Sequence, residues 1–190
     1  SEIDHHVHMV GAAGSVLEAF THQAVKDWQN ILLARARELR PGGRLVFMNF
    51  GKDEDGRYLG NTGAINMFDT FNDLWEQMAV EGKITQEEYI NATFPQFYRT
   101  KEEFCTPLTD TSSPVFAAGL RLVSAHAGVV GCPYRKAYER SNGSMSAREF
   151  AISYIPTLRS WSETVFLNAL SPDRPLEEKA GLIDHYYQQY

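Results

Sequence analysis

The stretch that most constrains this fold is Pro41–Phe50. Pro41-Gly42-Gly43 stops a helix, and Leu45-Val46-Phe47-Met48-Asn49-Phe50 follows as a nearly continuous apolar run. A strand that is apolar on both faces belongs in a parallel sheet covered on both sides. Upstream, from about Val16 to Arg40, Ala24, Val25, Trp28, Ile31, Leu32 and Leu39 recur at three- and four-residue spacing and mark one apolar helix face. Arg35, Arg37 and Arg40 sit near its end, where cations complement the helix dipole. Helix, glycine turn and buried strand together form the repeating unit of a doubly wound α/β fold.

The rest of the chain alternates helical patterns with loops. Gly51, Gly56, Gly60 and Gly63 lie among charged residues in a loop, but in neither the P-loop nor the G-x-G-x-x-G order. Met67, Phe68, Phe71, Leu74, Trp75 and Met78 give Ile65–Val80 a broad apolar helical face that ends at Gly82. Thr85-Gln86-Glu87-Glu88 and Thr100–Glu103 have the form of capping boxes, opening helices to about Ala92 and Leu108, with Pro95 between them. Ser112–Pro114 reads as a turn, and a second apolar strand is expected around Leu120-Arg121-Leu122-Val123. Tyr134–Arg140 is a short helix or irregular. Ser144–Ile155 is helical, Pro156 is expected to interrupt it, and helix resumes over Leu158–Leu170. Glu177–Tyr190 forms a last amphipathic helix through Leu182, Ile183, Tyr186 and Tyr187.

Composition excludes more than it assigns. Hydrophobic residues at 43% and charged residues at 22% are globular values. A net charge of −6 disfavours nucleic acid, whose phosphates call for a basic surface. No apolar run approaches the about 18 residues that span a bilayer, and no secretion signal opens the chain. Cys105 and Cys132 read as reduced cysteines of a cytoplasmic protein. No nucleophile elbow, H-E-x-x-H, paired C-x-x-C or Walker sequence occurs. Asp4-His5-His6-Val7-His8 lacks a second cluster to complete a metal site and reads as a solvated or peripheral group. His126, after the second strand, reads as structural.

The order of these pieces resembles the SABATH family (salicylate, benzoate and theobromine type) of S-adenosylmethionine-dependent carboxyl methyltransferases, in its bacterial form. Asp27-Trp28 and Arg35-Ala36-Arg37-Glu38-Leu39 match its aspartate–aromatic pair and R-A-x-E-L run, and Pro41–Phe50 its turn and strand. Met78-Ala79-Val80-Glu81-Gly82 matches a Met-x-x-Glu-Gly signature. Pro95-Gln96-Phe97-Tyr98 matches a P-x-Y element with one residue inserted, and Arg159–Glu163 an arginine and glutamate four apart.

The resemblance implies the later part of a Rossmann-like methyltransferase sheet with a helical substrate cap inserted after a late strand. Residues 1–50 and 109–190 would belong to the core and 51–108 to the cap, with 133–170 contributing to the cap. Val46 and Val123 would then lie on neighbouring strands. The early strands, their glycine-containing cofactor loops and a His-Trp pair are absent, so the resemblance places the chain as a C-terminal portion whose cofactor residues precede Ser1. By position, Met67, Phe68, Leu158 and Trp161 would bind substrate, and no residue of this chain would be catalytic. Aromatic walls would bury the apolar body of a small carboxylic acid; its carboxylate, ionised at neutral pH, needs no general base. The portion alone is expected not to turn over, and its uncovered sheet edge and apolar surface would favour a homodimer. Two other readings are a non-catalytic methyltransferase-like ligand-binding or regulatory module, and an unrelated α/β enzyme.

Overall fold

The computed structural model describes residues 3, 5–61 and 65–190; Asp4 of the histidine stretch and Gly63 of the glycine loop lie outside them. In chain order the elements are α1 (Gly14–Glu38), β1 (Gly51–Lys52), α2 (Met67–Val80), α3 (Gln86–Asn91), β2 (Arg99–Thr100), α4 (Lys101–Thr109), α5 (Pro114–Ala117), α6 (Pro133–Arg140), α7 (Ala147–Ala169) and α8 (Leu176–Gln189). The fold is mostly helical. Its sheet is a parallel pair in which Gly51 faces Arg99 and Lys52 faces Thr100. The chain divides into two compact units, one of Ser1–Ala12, Met67–Phe94 and Val129–Tyr190, the other of Ala13–Asn66 and Pro95–Gly128.

The second unit is built on α1. Ala24, Trp28 and Leu32, each four residues apart, are its buried stripe, while Val25 and Ile31 on the flanks of the expected face stay exposed. Trp28 and Leu32 pack with Val115 of α5, and Leu33, Phe104, Leu108 and Leu120 close around them. The Trp28 indole N–H donates to the Phe104 carbonyl at 3.0 Å. Arg99 donates to the Ala24 carbonyl at 2.5 Å, and its guanidinium lies 5.7–6.0 Å from the rings of Trp28, Phe97 and Phe104. These cation–π contacts tie β2 to α1.

The two expected strands are absent from the described residues. Leu45–Phe50 is extended but unpaired, with Val46 87% and Met48 94% exposed. Leu45 and Phe47 are less exposed than Val46 and Met48, and Phe47 meets the Trp28 ring edge-on at 5.1 Å. Leu120–Val123 follows α5 and a turn at Gly119, and is likewise unpaired, with Val123 78% exposed. Val46 and Val123 thus do not lie on neighbouring strands. His126, expected after that strand, is exposed in the same extended segment.

In the first unit the local signals hold. Both predicted capping boxes form: Thr85 Oγ1 accepts from the Glu88 N–H and Thr100 Oγ1, in the second unit, from that of Glu103, each glutamate returning a bond to the cap residue's N–H. Ser146 and Glu149 make a third at the start of α7. Tyr134–Arg140 is helical, as part of α6. Pro156 does not interrupt α7, which runs unbroken from Ala147 to Ala169. A helix-interior proline costs roughly 3 kcal/mol. That cost is offset by packing on both sides, from Phe150 and Tyr154 against α6 to Leu158 and Phe166 in the core.

The Met-x-x-Glu-Gly and Arg-x-x-x-Glu segments have local reasons in this structure. Gly82, with φ of 70°, receives the end of α2: its N–H bonds to the Ala79 carbonyl and that of Lys83 to the Met78 carbonyl. This is the left-handed helix cap that glycine adopts without strain. Arg159 grips Glu163 through two bonds of 2.8 and 3.1 Å and reaches Asp184 of α8 at 2.7 Å, so the Arg-x-x-x-Glu pair clamps α7 to α8.

Candidate functional site

The first unit concentrates aromatic rings where α2, α7 and α8 meet. From α2, Phe68, Phe71 and Trp75 recur at three- and four-residue spacing and are fully buried. Phe94 enters on the segment after α3, held by a parallel bridge to His8: the Phe94 N–H donates to the Val7 carbonyl at 2.7 Å and the Met9 N–H to the Phe94 carbonyl at 3.1 Å. From α7 come Trp161 and Phe166; from α8 come Tyr186 and Tyr187, with Tyr190 just beyond it.

Of the four expected substrate residues, the structure brings Phe68 and Trp161 into contact, their rings 6.4 Å apart and nearly perpendicular. Leu158 is buried on α7, three residues before Trp161. Met67 is buried at the first position of α2, but neighbouring residues on a helix point about 100° apart, so it does not share Phe68's direction. Trp161 also meets Phe71 and Phe94, each at 5.9 Å, and yet is 38% exposed. It is the ring of this cluster with a large open face. The arrangement offers the exposed part of one indole to an apolar ligand, backed by the buried rings of Phe68, Phe71 and Phe94.

His8 was expected among solvated histidines. It is instead fully buried, its ring stacked on Phe68 with centroids 3.6 Å apart. Its Nδ1 accepts from the Val10 N–H at 3.0 Å, which leaves the proton of a neutral ring on Nε2. His6 beside it is mostly buried, its Nε2 3.3 Å from Asp69 Oδ1. The signal for burial lay in the apolar residues around them: Ile3, Val7 and Met9 all enter the core. Among the described residues no group of histidine, cysteine and carboxylate side chains is placed to hold a metal ion.

Around the rings, the tyrosines and one ion pair set the electrostatics. Tyr186 donates to the Phe71 carbonyl at 3.1 Å, and burial pushes its hydroxyl well above the ordinary range. Tyr187 shares a buried 2.6 Å bond with Ser162, and burial raises it to about 12. Glu88 is buried in a cage of four donors: Arg174 through Nε at 2.5 Å and Nη2 at 2.7 Å, and the Ser171 and Thr85 N–H groups at 2.8 Å. The Arg174 hydrogen bonds chiefly hold its carboxyl down at about 2. This pair fastens α3 to the α7–α8 connection.

The model of the SAM dependent carboxyl methyltransferase family matches residues 3–114, more than half of the chain. Among curated proteins, gibberellic acid methyltransferase 1 of Arabidopsis thaliana is 32% identical over 107 residues, 52% of this chain and 27% of that protein. The chain thus matches about a quarter of the length of this relative.

Proposed function

Since this chain belongs to the SAM dependent carboxyl methyltransferase family, whose methyl donor is S-adenosylmethionine, we propose that it is the C-terminal, substrate-holding portion of such an enzyme, acting on the carboxylate of a small acid with an apolar body. The observation that carries the substrate side of this reading is the open indole of Trp161 over buried Phe68, Phe71 and Phe94. Such a wall binds hydrocarbon and leaves a carboxylate to be met elsewhere. We take the cap as residues 51–108 with a contribution from 133–170; Met67–Phe94 and Val129–Tyr190 fall in one compact unit, whereas 51–66 and 95–108 belong to the other.

Two glycines of the loop after Phe50 have local structural roles. A side chain at Gly51 would come within 2.9 Å of the Arg99 carbonyl, so that glycine makes room for β2. Gly56 turns a loop closed by Asp53, whose carboxylate accepts from the Asp55 and Arg57 N–H groups. On this reading the cofactor residues would be supplied from outside this chain, on strands that would also pair with Leu45–Phe50 and Leu120–Val123. The unpaired, apolar state of both segments supports that placement.

Among the described residues no helix is long and apolar enough to cross a membrane, and the enzyme reading carries a cytoplasmic setting with it. Calorimetric titration of the complete gene product with S-adenosylmethionine, then with a panel of small carboxylic acids, tests the proposal. Heat from both is expected. Acid binding without cofactor binding would point to a non-catalytic ligand-binding module, and turnover by the 190 residues alone would show the cofactor residues to be misplaced.

A further inference from the structure

Behind the open indole of Trp161 lies a fully buried side chain that the proposed function does not use, His8. Its ring stacks on Phe68 at 3.6 Å and lies 6.1 Å from Phe94, and these two rings meet Trp161 at 6.4 and 5.9 Å. Phe68 is the second residue of α2, in the turn where a helix has the fewest backbone bonds of its own, so its place depends on what packs against it. His8 is held independently of that ring. Its Nδ1 accepts from the Val10 N–H at 3.0 Å, and its backbone lies in the parallel bridge to Phe94. The two residues before it are tied to α2 as well: the Val7 N–H donates to Asn72 Oδ1 at 3.2 Å, and His6 Nε2 stands 3.3 Å from Asp69 Oδ1. The Tyr89 hydroxyl, donating to the His5 carbonyl at 2.6 Å, adds a tie to α3.

We infer that His8 is a positioning residue for the acid: it fixes Phe68 and Phe94 behind Trp161 and acts on a ligand only through those rings. This rests on the reading that the indole receives the acid's apolar body. Histidine suits the role because it combines two properties. A phenylalanine could stack on Phe68 but could not accept from the Val10 N–H, whereas an asparagine has an acceptor but no ring. Stacked rings prefer a definite geometry, so a ring pinned by a backbone bond passes its orientation to its neighbour. That orientation matters to binding, because a gap of about 0.5–1 Å already forfeits a quarter to a half of a van der Waals contact.

Calorimetric titration of the 190-residue chain with phenylacetate tests this, on wild type, His8→Phe, His8→Asn and Trp161→Ala. Acrylamide quenching of tryptophan emission supplies a spectroscopic readout: of the three tryptophans Trp28 and Trp75 are buried, so quenching reports Trp161. The His8 variants are compared where circular dichroism shows wild-type helix content, and His8→Phe, the milder change, carries the test where His8→Asn does not fold. Both should bind phenylacetate about three- to tenfold more weakly, the worth of one aromatic contact or one hydrogen bond, and Trp161 should be quenched more readily without ligand. A merely structural His8 would lower the urea midpoint but leave affinity within about twofold and quenching unchanged; that result would overturn the assignment. Trp161→Ala separates the two levels. If it abolishes phenylacetate binding while the His8 variants bind as the wild type does, the acid reading stands and the positioning role falls. If phenylacetate does not bind the wild type, or binds Trp161→Ala equally well, the acid reading falls and the positioning role with it.

Discussion

Glu88→Gln isolates the buried ion pair of the aromatic unit. Glu88 receives four hydrogen bonds, two from Arg174 and one each from the Ser171 and Thr85 N–H groups. Lowering its carboxyl from 4.5 to about 2 corresponds to about 3 kcal/mol of folding stability at neutral pH. The folded value lies below the unfolded one, so this stability is fully present above about pH 4.5 and is lost as pH falls toward 2. A glutamine would also turn an N–H₂ group toward donors and leave Arg174 short of a counter-charge. Urea unfolding of wild type and variant should therefore differ by about 3 kcal/mol near pH 7, narrowing to roughly 1.4 kcal/mol near pH 3 as the wild-type carboxylate takes up its proton. Tryptophan emission and far-ultraviolet circular dichroism are suitable probes. A difference that stays constant across this range, or one below about 1 kcal/mol at neutral pH, would refute the assignment of charge and burial to Glu88.

Further substitutions probe the other elements. Gly82→Ala should cost about 1 kcal/mol in thermal or urea unfolding, from backbone strain alone, because φ is 70° and no atom stands near the added methyl. Trp28→Phe should destabilise the second unit by about 1–2 kcal/mol, measured the same way, since it leaves the Phe104 carbonyl without the indole donor. Val46→Lys with Met48→Lys should leave the stability of this chain within about 0.5 kcal/mol, both side chains being almost wholly exposed. The same pair should abolish any homodimer formed through this segment, read by sedimentation; a monomeric wild type in dilute solution would count against such a dimer.

Helices and their ends were the legible part of the sequence because their determinants are local. Thr85 with Glu88, Thr100 with Glu103 and Gly82 after Val80 each act within one turn, and all form as the residues dictate. Pro156 was misleading because the rule that a proline breaks a helix weighs about 3 kcal/mol of local cost against packing that sequence spacing does not reveal. The strands were illegible for a different reason. Leu45–Phe50 has the composition of a doubly covered strand, with Phe47 in contact with Trp28. Strand identity, however, lies in hydrogen bonds to another segment, and composition can state the need for that neighbour without supplying it.

The candidate site shows the same division between local pattern and long-range partner. Phe68 and Trp161 were found by matching a family pattern, and the structure then brought α2 and α7 together to place their rings in contact. His8 could not be found that way, because its burial depends on pairing with Phe94 far along the chain. Nor do ring contacts alone separate wall from core: Phe71 touches as many elements as Trp161 but presents no open face. What distinguishes a binding surface here is incompleteness amid good packing. A large indole stays 38% exposed beside fully buried rings. A core residue gains by closing such a gap, so an indole left open on α7 is the physical argument for a ligand there.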